Sequence, residues 1–192
     1  MLPSMRSHIQ IPGKSFVNTK ILHAATETRR YTNKMNHLEK LTRQFYEWKG
    51  YLVKGNVKVG KLAHGGWEGE LDIVAYNPQT HHLVHVEPSI DAHPWNKREN
   101  RFTKKFQAGQ KYIYTDVFPW LSLETPIEQI AILITSSRKQ LAGGKVLSID
   151  EFLKQIKDEV TKLGIASKSA IPEEFDLLRT IQFAFNGYYK IV

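Results

Sequence analysis

The chain contains no cysteine in 192 residues. Disulfide staples, thiolate zinc sites and cysteine nucleophiles are therefore excluded, and the composition fits a reducing, cytoplasmic setting. Long apolar runs are lacking too: no window approaches the roughly 18 uninterrupted apolar residues a spanning helix needs, so no membrane partner is expected. The opening MLPSMRSHIQIPGK has no apolar segment of the kind a secretory signal requires. Arg6, Lys14 and Lys20 with no acid in the first 26 residues is a bias shared with organelle-targeting peptides. Pro3, Pro12 and Gly13 spoil the amphipathic helix such peptides use.

Acid is scarce as well. Nineteen Asp and Glu face 27 Lys and Arg, a formal net charge of +8, and such a surface attracts polyanions, nucleic acid first among them. The 41% hydrophobic and 24% charged fractions are ordinary for a globular protein. Three segments are expected: a basic arm or extension over residues 1–35, with Thr28-Arg29-Arg30-Tyr31 its most basic stretch, a core over 36–165, and a C-terminal helical extension over 166–192.

Within the core, Asn36 is placed to cap a helix carrying Leu38, Leu41, Phe45 and Trp48 at helical spacing and ending at Gly50. YLVKGNVKV reads as a strand, and GKLAHGGWEG as a glycine-rich turn or loop. GELDIVAY and HLVHVEPS form a hairpin about Asn77-Pro78-Gln79-Thr80. Residues 96–114 return to helical spacing, with Phe102, Phe106, Gly109 and Ile113 inward and a basic outer face. A buried strand EQIAILITS, a short strand KVLSI, a helix capped by Ser148 and stopped at Gly164, and a last helix through EEFDLLRTIQFAF follow. The order predicts an α/β domain whose mixed central sheet has helices on both faces.

Asp72 and Glu87 fall on the paired strands at positions that bring two carboxylates to one end of the sheet. Hard divalent cations such as Mg²⁺ bind through one or two carboxylates together with phosphate oxygens and water. A bound cation polarises a phosphate and lowers the pKa of water. Two acids converging in a basic protein point to a phosphodiester site.

The order of these residues resembles the PD-(D/E)XK nuclease superfamily, which includes restriction endonucleases, resolvases and repair nucleases. Its helix acid is matched by Glu39 followed by Gly50-Tyr51. Its strand Asp is matched by Asp72 in Gly69-Glu70-Leu71-Asp72-Ile73-Val74, and its (D/E)XK tripeptide by Glu87-Pro88-Ser89. The following helix, with Gln107, Gln110 and Lys111-Tyr112, resembles that of several branches. The resemblance implies a restriction-endonuclease-like fold and a Mg²⁺- or Mn²⁺-dependent DNA endonuclease. Asp72, Glu87 and Glu39 would be its metal ligands, and a homodimer or a second nuclease or recognition subunit would make double-strand breaks. Ser89 departs from the family lysine. In some members a base on the next helix substitutes, which implicates Lys105 ahead of Lys104. In others an acid does so, and Glu99 is the acid available. A site without a substitute implies an inactive nucleic-acid-binding module on the same fold.

Lys97, Arg98, Arg101 and Lys104 on the basic helix are expected to contact phosphates, and Trp67 in the glycine-rich stretch to stack on a base. His81, His82, His85 and His93 invite a zinc reading, but adjacent strand residues point to opposite faces, so a shared ion is not expected. His85 shares a strand face with Glu87 and stands within reach of it. An anionic-membrane or protein-interaction domain would explain the charge but leaves the paired strand carboxylates without a role.

Overall fold

A computed structural model describes residues 36–186; the expected basic arm lies outside them. Asn36 opens helix α1 (His37–Trp48) through a capping box. Its side chain accepts from the Glu39 N–H at 2.9 Å, and the Glu39 carboxylate accepts from the Asn36 N–H at 3.1 Å. Gly50, with φ of +81°, ends the helix in a left-handed conformation that a side chain would disfavour.

Two long antiparallel strands follow, β1 (Leu52–Lys61) and β2 (Trp67–Asn77), and then β3 (His82–Ser89). The glycine-rich stretch is shorter than a loop reading suggests: pairing continues out to Lys61↔Trp67, leaving a tip over residues 62–66. The turn between β2 and β3 is fixed by the Asn77 side chain, which accepts from the Gln79 and Thr80 N–H groups at 2.9 and 3.1 Å.

Helix α2 (Trp95–Tyr112) runs on into a π-helical turn, Ile113–Val117, in which the Phe118 N–H donates to Ile113 O at 2.8 Å. Then come β4 (Ile127–Leu133), a two-residue β5 (Gln140–Leu141) that no periodicity signals, and β6 (Gly144–Ser148). Ser148 caps α3 (Ile149–Thr161) with a second capping box to Glu151, and α4 (Asp176–Asn186) completes the described residues. None of their helices is long and apolar enough to cross a membrane.

The six strands form one mixed sheet in the order β1-β2-β3-β4-β6-β5, with β3, β4 and β6 parallel. Alternation along β4 divides the core. Ile130 and Ile132 join Leu41 and Phe45 of α1, Phe152 and Ile156 of α3, and Leu178 of α4. Ala131 and Leu133 meet Phe102 and Phe106 of α2 on the opposite face. Helices thus cover both faces, as the sequence predicts. The C-terminal extension, as far as residue 186, packs into the same core through Ile171 and Leu178.

The sheet forks at one place. The β2–β3 ladder ends at Ile73↔Val86, while β2 stays paired with β1 and β3 stays paired with β4 through Ser89. Opposite Asp72 on β1, Asn56 has a φ of 53°, a left-handed value that asparagine tolerates better than most residues. Side-chain alternation also breaks here. Ile73 packs toward α1, but its second neighbour Leu71 packs toward Ile113 and Val117 on the α2 side. Pro88, with no N–H to give a ladder, lies where β3 is paired on one side only.

Candidate metal and phosphate site

The fork holds Asp72 and Glu87. With no β3 carbonyl to meet, the Asp72 backbone N–H donates to Glu87 Oε1 at 3.1 Å. A side chain thereby closes the gap left by the ladder, satisfying a group that would be costly to leave unpaired. Lys105, on the sheet-facing side of α2, reaches both acids: its Nζ lies 2.7 Å from Asp72 Oδ2 and also contacts Glu87 Oε2.

Glu87 is 1% exposed and Lys105 28%. Burial opposes the Glu87 charge, but a hydrogen bond from His85 and the Lys105 ammonium outweigh it and hold its carboxyl below the usual range. Burial, and then the Glu87 charge beside it, push Asp72 the other way, up to about 8, against the pull of Lys105. Burial also disfavours the Lys105 ammonium, yet the two carboxylates keep its pKa above the ordinary value. The cluster therefore has one acid more than its single base can neutralise.

That imbalance makes a stability prediction. A raised Asp72 value means folding favours the protonated form, so the stability this group contributes is complete below the ordinary carboxylate range. It drains away as pH climbs toward about 8. Asp72→Asn carries no charge at any pH. In EDTA it is expected to melt above the wild type, with the difference growing over that window and constant beyond it. Each kcal/mol recovered corresponds to about 2–4 °C in a chain of this size. A difference that shrinks with rising pH in thermal melts contradicts the assignment.

The donor set suits a small hard cation, because oxygens of two carboxylates from separate strands converge on the point that Lys105 Nζ now fills. No group of three acids or histidines able to hold a metal forms among the described residues. Glu39 is absorbed by the cap of α1, both of its carboxylate oxygens bonding Asn36, and it has no polar contact with Asp72 or Glu87. Glu99 is employed elsewhere: its carboxylate accepts from the Ala142 N–H at 2.9 Å, pinning the β5–β6 turn.

Ser89, on the same strand face as Glu87, meets α2 one helical turn before Lys105. Arg101 Nη2 donates to Ser89 Oγ at 2.8 Å and pairs with Asp91, while Arg98 Nη2 donates to Asp91 O at 2.6 Å. Asp91 and its pairing with these two arginines gave no signal in the sequence, since only the path of the chain after β3 turns that carboxylate back onto α2. Arg101 Nε is buried without a hydrogen-bond partner among the described residues. Of the expected phosphate contacts, Arg98 and Arg101 are thus held by Asp91, whereas Lys97 and Lys104 are exposed. Trp67 opens β2 at the hairpin tip and is 45% exposed.

The histidines do not gather. His81 meets Tyr76, and His82 bridges Tyr51 and Glu128. Among the described residues, His85 is the histidine that reaches the fork, where its Nε2 lies 2.8 Å from Glu87 Oε1. In comparison with known proteins, no family model matches the chain and no curated protein matches it.

Proposed function

We propose that this chain is a metal-dependent phosphodiesterase acting on DNA, an endonuclease of the PD-(D/E)XK type with Glu-Pro-Ser in place of the family tripeptide. The observation that carries the reading is the convergence of Asp72 Oδ2 and Glu87 Oε2 on a single cation position at the fork of the sheet. Asp72 and Glu87 hold Mg²⁺ or Mn²⁺. Such an ion, when bound, polarises a phosphodiester and makes hydroxide accessible near neutral pH. Lys105 supplies, from α2, the positive charge that Ser89 does not, and orients the attacking water or the phosphate. Arg101, whose side chain is 39% exposed, and the exposed Lys97 and Lys104 attract the backbone without reading sequence. Glu39 keeps its capping role. Double-strand cleavage by so small a domain would take a homodimer or a second subunit.

One observation favours a second reading. Lys105 already occupies the cation position and pairs with both carboxylates, as it would in a nucleic-acid-binding module that performs no chemistry. Supercoiled plasmid and single-stranded DNA, incubated at low salt with Mg²⁺, Mn²⁺ or EDTA, separate the two. Nicking or linearisation that requires the metal is the expected result. Salt-sensitive binding without cleavage under any metal favours the module, and no binding at all sinks both.

A further inference from the structure

The two oxygens of Glu87 have different partners. Oε1 accepts from the Asp72 N–H at 3.1 Å and from His85 Nε2 at 2.8 Å, whereas Oε2 faces the cation position. His85 is fully buried and edge-on to Phe106, with ring centroids 5.6 Å apart. Its tautomer follows from its neighbours. Gln129 Nε2 lies 2.8 Å from Phe106 O and 3.3 Å from His85 Nδ1. A backbone carbonyl only accepts, so the amide nitrogen of Gln129 must face it, and Gln129 Oε1 is left to receive Gln110 Nε2 at 3.1 Å. His85 Nδ1 then accepts from Gln129, and the ring hydrogen sits on Nε2, aimed at Glu87. Gly109 closes the pocket: a Cβ there would lie 2.3 Å from His85 Nδ1, so only glycine lets α2 pass this close.

The geometry assigns His85 as the positioning residue that holds Glu87 to one-oxygen ligation, so that the site prefers Mg²⁺ or Mn²⁺ to Ca²⁺. The inference rests on the metal reading proposed above. Mg²⁺ demands near-octahedral coordination at about 2.0–2.1 Å and takes few carboxylates, whereas Ca²⁺ accepts 6–8 oxygens at about 2.3–2.6 Å, often with a carboxylate giving both. Two-oxygen ligation would turn Glu87 Oε1 toward the ion and break two hydrogen bonds, one to a part-buried donor and one to a fully buried donor. One of these donors is backbone and beyond mutation. The other is His85.

The test is calorimetric titration of Mn²⁺ and of Ca²⁺ into the full chain, with thermal melts in EDTA to verify folding. Wild type is expected to bind Mn²⁺ the more tightly. His85→Leu should weaken Mn²⁺ by about 10–100-fold, the usual effect of removing a group that orients a metal ligand, and weaken Ca²⁺ less, so the affinity ratio falls. His85→Gln, whose amide N–H can meet the same Glu87 oxygen, should keep most of the ratio. Gln129→Leu leaves the imidazole in place but frees its tautomer, and should lower the ratio by a smaller factor, which covers the case of a leucine variant that fails to fold. Variants that shift both affinities in parallel overturn the inference and leave the metal reading intact, because a purely structural role cannot change selectivity. A folded wild type that binds neither ion overturns both.

Discussion

Asp72→Ala is expected to lower metal-dependent cleavage by about 10³-fold or more while leaving affinity for duplex DNA in EDTA unchanged or slightly higher. On the proposed reading a bound metal would contribute several kcal/mol to stabilising a phosphoryl transition state, and each 1.36 kcal/mol is tenfold in rate, so loss of one of two proposed ligands would reach that size. Affinity should not fall, because the residue removed is an acid beside a surface whose proposed binding would come from Lys and Arg. Nicking assays read the first quantity and salt-dependent binding isotherms the second. Equal losses in both would mean that Asp72 serves the fold rather than the reaction, and cleavage that survives would remove it from the site.

Lys105→Met has the second large effect, and it falls first on stability. Without the ammonium, Glu87 and Asp72 face each other with no cation between them. Breaking a buried pair costs about 3–5 kcal/mol. Because Lys105 is 28% exposed and Asp72 can take up a proton, a loss of about 2–3 kcal/mol is expected in EDTA. Removing an acid from this cluster stabilises the chain and removing the base destabilises it, which follows from two carboxylates sharing one lysine. If the position is a cation site, Mn²⁺ should raise the melting temperature of Lys105→Met more than that of the wild type, since the ion no longer displaces an ammonium. A variant that is destabilised but indifferent to Mn²⁺ would leave Lys105 as a structural pair alone.

Much of the framework was legible because its signals are local. Asn36, Ser148, Gly50 and Gly164 delimit helices through bonds or φ values within a few residues of themselves. The hairpin about Asn77 declares itself in four residues. The lengths of β1 and β2 were less legible, because Gly60 and the glycines near Trp67 read as loop. Gly60 is in fact held in a strand, its N–H donating to Asp116 at 2.8 Å, a partner no local pattern reveals.

In the site, Asp72 and Glu87 could be read together because they lie on two strands joined by a short turn, and Lys105 entered through the family resemblance, as a base on the next helix where Ser89 replaces the motif lysine. Glu39 shows the opposite: Asn36-His37-Leu38-Glu39 has the spacing of a capping box, and that local use takes up the carboxylate. Glu99 and the Asp91 arginine cluster are fixed by contacts distant in sequence or by an irregular segment, where periodicity says nothing.

The fork has a consequence for how the molecule assembles itself. Glu87 and Lys105 belong to one β3-α2-β4 unit, and Asp72 is a single tight turn away from it, so among the described residues every group at the cation position comes from one continuous stretch of chain. Its contacts span 15 to 44 residues, separations over which the cost of closing a loop grows only slowly with length. The geometry of Asp72, Glu87 and Lys105 uses no residue of α4, so truncation of the C-terminal helix is expected to shorten the lifetime of the native state rather than to misbuild the cluster.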